Sequence, residues 1–142
     1  MAVITARPIV AGEAEGEALV SADAISFWGG YDFATGTIID RHHSLAGVCA
    51  AGRILAVPFS KGSSTTTAVL LEAVRAGTAP AAIVTTGVDA FFALASIAAD
   101  VMYGKPFPVL ALMAADFSRL STGMRLVITA DGRIREADVQ AR

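Results

Sequence analysis

The stretch that decides the fold covers residues 53–67 and reads RILAVPFSKGSSTTT. Its first part, Ile54–Phe59, is apolar and predicts a buried strand. The next residues, Ser60–Thr67, are mostly small or hydroxylated, and they precede a pattern typical of a helix that ends near Ala76. The first N–H groups of a helix lack internal partners and, together with the helix dipole, attract anions. The stretch therefore predicts a strand, a turn and a helix start that meet where a carboxylate or a phosphate can bind.

The turn carries three side chains with potential chemistry: the cation of Lys61 and, after Gly62, the hydroxyls of Ser63 and Ser64. One interpretation is an anion-binding site with a hydroxyl that can transfer a proton. The other is an ordinary helix cap, because Ser and Thr are preferred at that position. The turn lacks the glycine spacing of a phosphate-binding P-loop, and Ser63 is not in a Gly-x-Ser-x-Gly elbow. Both interpretations stay open at this point.

Length and composition bound the class of protein. The chain has 142 residues, which suits one domain, and a net charge of −2 without a basic cluster, which disfavours a nucleic-acid partner. Its longest run without Asp, Glu, Lys or Arg, 76–88, is too short for a membrane span, which needs about 18 residues. The start of the sequence lacks the pattern of a signal peptide, and the single Cys49 excludes an internal disulfide and fits a reducing cytoplasm. The mean hydropathy of +0.59 indicates a buried parallel sheet and a face covered by a partner.

The middle of the chain alternates between strands and helices. Apolar runs predict strands at 54–59, 81–85 and 108–113, and helical periodicity predicts helices from residue 63 or 64 to 76 and from 90 to 103. Asp89 is placed to cap the second helix, and Gly77 and Gly104 are placed to end the two helices. This order predicts a parallel sheet whose ligands bind beyond the C-terminal ends of its strands. The turns at 60–67 and 85–87 both lie at such ends.

The two ends of the chain are expected to form a β-rich part. Residues 3–10 and 18–21 predict two strands, with a glutamate-containing loop between them. Residues 124–129 and 133–139 predict a hairpin around an Asp-Gly turn. We expect this hairpin to pair with the N-terminal strands.

An unusual stretch, Ser26-Phe27-Trp28-Gly29-Gly30, places the only Trp of the sequence beside two glycines. Glycine permits a positive φ and a close approach of another backbone or a ligand. An aromatic wall beside such a backbone suits a small-molecule pocket or an interface. The alternative is a buried aromatic cluster on a tight turn.

The adjacent His42 and His43 do not predict a metal site. Neighbours on an extended segment point to opposite faces and cannot easily share one ion. Asp40 and His43 are expected instead to hydrogen-bond within their loop and to orient it. With one cysteine in the sequence, we expect no metal to be bound by this chain.

Three groups of residues stand in a specific order and spacing: SFWGG at 26–30, TGxIIDxxHxLxG at 35–47 and KGSS at 61–64. With them the sequence resembles the small subunit of the aconitase X-type hydro-lyases, over essentially the whole chain, 1–142. It is also similar to the swivelling β/β/α domain of the wider aconitase and isopropylmalate isomerase superfamily. The resemblance implies an α/β swivelling domain, with a β-rich part from both chain ends and an inserted βαβαβ unit that holds a parallel sheet.

The resemblance assigns roles within the turn. In that superfamily a Gly-x-Gly-Ser-Ser-Arg turn carries a serine that acts as the base for proton abstraction, and this serine corresponds to Ser63. Ser64 would then be a cap or a hydrogen-bonding group for the substrate. Ser60 stands where the superfamily has its first glycine, and Thr65 stands where it has an arginine that binds a substrate carboxylate. The carboxylate contact is therefore expected from Lys61, from helix N–H groups or from a partner.

The resemblance also implies a reaction, a partner and a cofactor. Water would be eliminated from a hydroxy acid by a base and by a metal centre that acts as a Lewis acid. An iron–sulfur cluster is expected in a large subunit, because Cys49 alone cannot supply its ligands, and this chain is expected to be active only with that subunit. Gly62 and the stretch Ser26–Gly30 are expected to line the substrate pocket or to meet the large subunit.

The resemblance implies two candidate substrates: cis-3-hydroxy-L-proline, which bacterial enzymes of this family group dehydrate, and mevalonate 5-phosphate, which is dehydrated in archaea. We favour the first, and the second is the alternative. An Ala-rich, Lys-poor composition is typical of a bacterial, GC-rich source, and a phosphate substrate is expected to bring more cations to the turn than Lys61. A non-catalytic binding or assembly module is the alternative class of function. The chain is expected to work in the cytoplasm, without a nucleic-acid or membrane partner.

Overall fold

The computed structural model describes residues 1–61 and 65–137. Ten strands and three helices lie within these residues. In chain order they are β1 (Ile4–Thr5), β2 (Arg7–Val10), β3 (Ala14–Val20), β4 (Tyr31–Asp32), β5 (Thr37–Ile38), β6 (Ile54–Ala56), α1 (Thr65–Ala76), β7 (Ala82–Thr86), α2 (Ala90–Tyr103), β8 (Val109–Leu112), α3 (Ala114–Phe117), β9 (Arg125–Ile128) and β10 (Arg133–Glu136). None of the helices in this part of the chain is long and apolar enough to cross a membrane.

The predicted βαβαβ unit is confirmed. Strands β3, β6, β7 and β8 run parallel, with α1 between β6 and β7 and α2 between β7 and β8. Asp89 caps α2, since its carboxylate accepts hydrogen bonds from the N–H groups of Phe91 and Phe92 at 3.1 Å each. Gly77 and Gly104 follow the helices with φ angles of 77° and 64°, the left-handed conformation that glycine adopts without strain. The short helix α3 was not predicted.

Two hydrophobic cores lie on the two faces of this parallel sheet. Along β6 and the next residue, Ile54 and Ala56 belong to one core, and Leu55 and Val57 belong to the other. Successive side chains of a strand point to opposite faces, so a strand buried on both faces needs apolar residues at every position. Burial on both faces therefore explains why the sequence is apolar at every position from Ile54 to Val57. Helices α1 and α2 cover one of the two faces and contact each other.

The eight-stranded sheet closes on itself through Ala6. The strand order is β1-β10-β9-β3-β6-β7-β8-β2, so β1 and β2 lie at opposite ends although only Ala6 separates them in the chain. The N–H group of Ala6 donates to the carbonyl of Gly132 at 2.9 Å. The single strand predicted at 3–10 is therefore wrong, because the two halves of that segment pair with different edges. Such closure leaves few strand edges open to unwanted pairing.

The chain ends form the β-rich part that was predicted. β9 and β10 form a hairpin, β9 pairs with β3, and β10 pairs with β1, all antiparallel. Gly132 in the hairpin loop has a φ of 86°. Within the loop that was predicted to carry the glutamates, residues 14–17 instead belong to β3, where Glu15 and Glu17 alternate with the buried Gly16 and Ala18. The fold class, a swivelling α/β domain, is confirmed by this topology and by the structural neighbours described below.

Candidate active site

The candidate site lies at the C-terminal edge of the parallel strands, where three loops meet. The segment after β6, residues 57–61, contacts the segment after β7 and the segment after β3. The N–H group of Thr86 donates to the carbonyl of Pro58 at 3.2 Å. The backbone N–H and the hydroxyl of Ser60 donate to Oδ2 of Asp89 at 2.7 and 2.8 Å. These bonds fix the backbone that leads into Lys61.

The third loop brings the aromatic stretch to the same place. Ile25 and Ser60 form an isolated parallel bridge: the N–H group of Ile25 donates to the carbonyl of Phe59 at 3.2 Å, and the N–H group of Lys61 donates to the carbonyl of Ile25 at 2.7 Å. Ser26 follows directly. The structure thus joins the beginnings of two motifs that lie far apart in the sequence.

The central part of the predicted site lies outside the described residues. This part comprises Gly62, Ser63 and Ser64, the predicted base among them. The residues on either side are described: the Lys61 side chain is exposed, and Thr65 begins α1. The assignments of Ser63 and Ser64 therefore stay predictions.

The stretch from Ser26 to Gly30 combines an exposed and a buried aromatic side chain. Trp28 is 72% exposed, whereas Phe27 has no exposed surface. The Ser26 hydroxyl donates to the carbonyl of Trp28 at 3.0 Å. Gly29 has a φ of 73°, and a Cβ on Gly30 would lie only 2.0 Å from the carbonyl oxygen of Ser26. Both glycines are therefore required by the tight backbone that turns Trp28 outward and Phe27 inward.

The buried side of this stretch is an aromatic cluster. The rings of Phe27 and Tyr31 stack with centroids 4.8 Å apart, and Phe92 of α2 contacts Phe27 edge-on at 5.6 Å. The Tyr31 hydroxyl donates to the carbonyl of Thr78 at 2.7 Å. Burial raises the pKa of Tyr31, and the nearby Cys49 adds to this effect. The Phe27 side chain therefore supports the loop from the core, and Trp28 is the aromatic side chain that a ligand or a partner can reach.

A shallow apolar groove of about 190 Å³ adjoins Trp28 and the first turns of α1. It is lined by Trp28, Phe33, Thr65, Ala68, Val69 and Glu72. A larger cavity, of about 460 Å³, lies at the other end of the molecule beside the β9–β10 hairpin and includes Arg133 and Arg135. The groove includes Thr65, the residue that begins α1 directly after the candidate turn.

The loop that contains the two histidines is fastened to the segment after β3. The N–H group of Leu45 donates to Nδ1 of His43 at 3.1 Å, so the proton is on Nε2, which lies 3.2 Å from the carbonyl oxygen of Asp23. The Asp23 carboxylate accepts from the N–H group of Ser44 at 3.0 Å, and the hydroxyls of Ser21 and Ser44 are 2.5 Å apart. This network joins residues 21–23 to residues 43–45.

The predicted bond between Asp40 and His43 exists between their backbones. The N–H group of His43 donates to the carbonyl of Asp40 at 3.1 Å. His43 is buried and His42 is exposed, as expected for neighbours that face opposite ways. Among residues 1–61 and 65–137, no group of three or more His, Cys, Asp or Glu side chains could hold a metal ion. Cys49 is free and exposed, so the described part of the chain does not fit an iron–sulfur cluster.

Sequence reasoning missed two contributors to this site, the carboxylates of Asp23 and Asp89 as links between loops. Asp89 was assigned only a capping role, and its Oδ2 contacts with Ser60 cross 29 positions. No local pattern signals such a bond. One indirect sign was available, because Asp89 lies after β7 and Ser60 after the neighbouring β6, at the same edge of a parallel sheet.

The fold and this edge define a class of protein: a swivelling α/β domain with its candidate site on the turn between a parallel strand and α1. The family model of the aconitase X swivel domain matches residues 3–136, and the chain belongs to this family. The resemblance stated from the three motifs is thereby confirmed.

Two relatives and one solved structure are similar to this chain over most of its length. It is 44% identical over 134 residues to the cis-3-hydroxy-L-proline dehydratase of Pseudomonas aeruginosa, which covers 93% of this chain and 22% of that protein. It is 37% identical over 125 residues to the phosphomevalonate dehydratase small subunit of Thermococcus gammatolerans, which covers 88% of this chain and 89% of that protein. The crystal structure of Thermococcus kodakaraensis aconitase X in its holo form matches 97% of this chain and 100% of that one, with a TM-score of 0.85 and 32% identity.

The fraction of a relative's own length that this chain covers differs between the two kinds of dehydratase. The chain spans about a fifth of the length of the two cis-3-hydroxy-L-proline dehydratases that it matches, from Pseudomonas aeruginosa and Hypocrea jecorina (22% and 19%). It spans most of the length of the phosphomevalonate dehydratase small subunit from Thermococcus gammatolerans.

Proposed function

We propose that this chain is the swivelling, small part of a two-part hydro-lyase, which removes water from a hydroxy acid and is active only with a large subunit. One observation supports this most: in a member of the aconitase X swivel family, the candidate turn and the Ser26–Gly30 stretch meet at the ligand-binding edge of the parallel sheet. The relatives named dehydratases favour the same class of reaction.

In this proposal Ser63 is the general base. Its oxygen takes the proton from the carbon next to the substrate carboxylate, and the hydroxyl group leaves as water after it gains a proton. A serine hydroxyl is a weak base unless its ionised form is stabilised. The cation of Lys61, two positions before Ser63, and the positive end of the α1 dipole favour that form.

The substrate contacts are proposed around the same turn. Lys61, with Gly62 and Ser64 beside it in the sequence, would bind the carboxylate that an arginine binds elsewhere in the superfamily. From the other loop, Ser26, Gly29 and Gly30 would border the pocket. Trp28 would close one side of it or contact the large subunit, because it is largely exposed. The buried Phe27 would stabilise the conformation of this loop by packing against Tyr31.

The cofactor is proposed to belong to the partner. An iron–sulfur cluster in the large subunit would supply a Lewis acid for the departing hydroxyl. The described residues of this chain offer no ligand set for it. We place the two-part enzyme in the cytoplasm, where a free, exposed thiol such as that of Cys49 stays reduced.

We propose cis-3-hydroxy-L-proline as the substrate. The identity of 44% to the Pseudomonas aeruginosa dehydratase that acts on it is the supporting observation. Mevalonate 5-phosphate is the second candidate, since the phosphomevalonate dehydratase small subunit of Thermococcus gammatolerans aligns along 89% of its own length.

The test is to purify the chain together with its large partner and to assay both substrates. We expect turnover of cis-3-hydroxy-L-proline, with a loss of kcat of at least about 100-fold in Ser63→Ala, and a smaller loss in the neighbouring control Ser64→Ala. Turnover of mevalonate 5-phosphate alone would overturn the substrate. Full activity of Ser63→Ala would overturn the base and favour a non-catalytic assembly role for this turn.

A further inference from the structure

The backbone from Pro58 to Lys61 is held by other segments at every residue. The carbonyls of Pro58 and Phe59 accept from Thr86 and Ile25, and the N–H group of Lys61 donates to the carbonyl of Ile25. All of these are bonds between backbones. Ser60 differs, because its N–H group donates to a side chain, the carboxylate of Asp89, at 2.7 Å. The Thr86 hydroxyl also donates to the Pro58 carbonyl, at 3.3 Å, and Asp89 is the side chain that binds the turn at Ser60.

Asp89 divides its two oxygens between two elements. Oδ1 accepts from the N–H groups of Phe91 and Phe92 and caps α2. Oδ2 accepts from the N–H and the hydroxyl of Ser60, at 2.7 and 2.8 Å. Charge-assisted hydrogen bonds of this kind are stronger than neutral ones. One carboxylate therefore locks the start of α2 to the turn after β6.

The burial of Asp89 stabilises its hydrogen bonds to Ser60. Asp89 is only 7% exposed, and no salt bridge within residues 1–61 and 65–137 includes it. A buried carboxylate without a cation must be satisfied by hydrogen bonds. Its four donors meet that requirement, so moving Ser60 would leave a buried carboxylate oxygen without a partner. The cost of this loss opposes displacement of the turn.

We propose that Asp89 is a positioning residue for the candidate active site. Through Ser60 it fixes the path of the chain into Lys61, which is proposed to bind the substrate carboxylate and lies two positions before the proposed base. This inference rests on the proposed function. An error of about 1 Å in the placement of a reacting group can cost about 100-fold in rate. The bond to Ser60 is therefore expected to matter for kcat beyond its effect on stability.

Two variants distinguish the hydrogen bonds between Asp89 and Ser60 from the role of Asp89 as the N-cap of α2. Asp89→Ser keeps a good N-cap residue, but its side chain is too short to cap α2 and reach Ser60 as well. Ser60→Ala leaves Asp89 intact and removes only the bond from the Ser60 hydroxyl. The matched control is Ser96→Ala, which removes two buried bonds between α2 and Phe107, away from the turn.

The first measurement is hydrogen exchange of the Ser60 and Lys61 amides in the full chain, and it does not depend on activity. We expect Asp89→Ser to speed this exchange by about tenfold or more, with the amides of the last turns of α2 unchanged. Ser96→Ala should lower Tm without this local effect. Unchanged exchange at Ser60 in Asp89→Ser would overturn the inference.

The second measurement is the kinetics of the complex with the large subunit. We expect kcat to fall about 10- to 100-fold in Asp89→Ser and less in Ser60→Ala, with KM changed by less than about twofold. Ser96→Ala should keep the wild-type kcat. Retention of kcat in Asp89→Ser would overturn the positioning role even if exchange rises. If the wild-type complex turns over neither hydroxy acid, the proposed function fails, and the exchange result still decides whether Asp89 holds the turn.

Discussion

Phe27 and Trp28 are neighbours in the sequence, but their replacement by alanine is expected to destabilise the fold to very different extents. Phe27 is fully buried against Tyr31 and Phe92, whereas Trp28 is largely exposed. Removal of a buried Phe ring costs about 4 kcal/mol, from lost transfer energy and from the cavity that remains. Replacement of an exposed side chain without specific bonds costs about 0.5 kcal/mol or less.

These free energies translate into a clear difference in Tm. For 142 residues the entropy of unfolding is about 0.3 kcal/mol per kelvin, so Phe27→Ala is expected to lower Tm by about 13 °C and Trp28→Ala by less than about 2 °C. Circular dichroism during thermal unfolding measures both, and urea titration at 25 °C checks the free energies. Phe27→Leu, which keeps most of the volume, should cost only about 1.5 kcal/mol. If Trp28→Ala destabilised the chain as much as Phe27→Ala, the loop would be oriented the other way and the reasoning would be refuted.

Two further predictions concern the same loop. Tyr31→Phe removes the bond to Thr78 and is expected to cost about 1 kcal/mol near pH 7, measured by urea unfolding. Because burial raises the pKa of Tyr31, the folded state retains a proton that the unfolded state loses above about pH 10. The contribution of Tyr31 to wild-type stability should therefore be constant below that pH and fall above it, by up to about 1.4 kcal/mol per pH unit, and this loss should be absent in Tyr31→Phe. Gly30→Ala should cost about 3 kcal/mol or more, since its Cβ would overlap the Ser26 carbonyl; a stability within about 0.5 kcal/mol of wild type would contradict the tight turn.

The middle of the fold could be predicted because its signals are local. A helix start is set by a cap such as Asp89, and a helix end by a glycine such as Gly104, and each acts within a few residues of its own position. The run 54–57 is apolar at each position, which is typical of a strand buried on both faces. Alternating strands and helices then leave few possible topologies.

The outer strands could not be predicted because their pairing is not local. The segment 3–10 has the composition of one strand, but it divides at Ala6 between two edges whose partners, β8 and β10, come about a hundred residues later. In β3 the polar Glu15 and Glu17 resemble a loop when they are read alone. Their alternation with Gly16 and Ala18 has meaning only when β9 is known to lie beside them.

For the site, the sequence indicated the two stretches but not the bonds between them. The turn around Lys61 and the stretch Ser26–Gly30 were both selected for their residue types. Their contact through Ile25 and the lock between Ser60 and Asp89 depend on which strands are neighbours. A single sequence does not contain that information in any short pattern. The roles of Ser63 and Ser64 stay predictions for the assays above.

The closure of the sheet at Ala6 has a consequence for how the chain folds during synthesis. The ribosome makes β1 and β2 about a hundred residues or more before the strands that pair with them, β10 and β8. Strands β1 and β2 therefore stay unpaired until the central unit has formed and the β9–β10 hairpin has been made. Pairings across such long sequence separations are slow to form. We expect the βαβαβ unit to condense first and the N-terminal segment to join the two edges in the last step of folding.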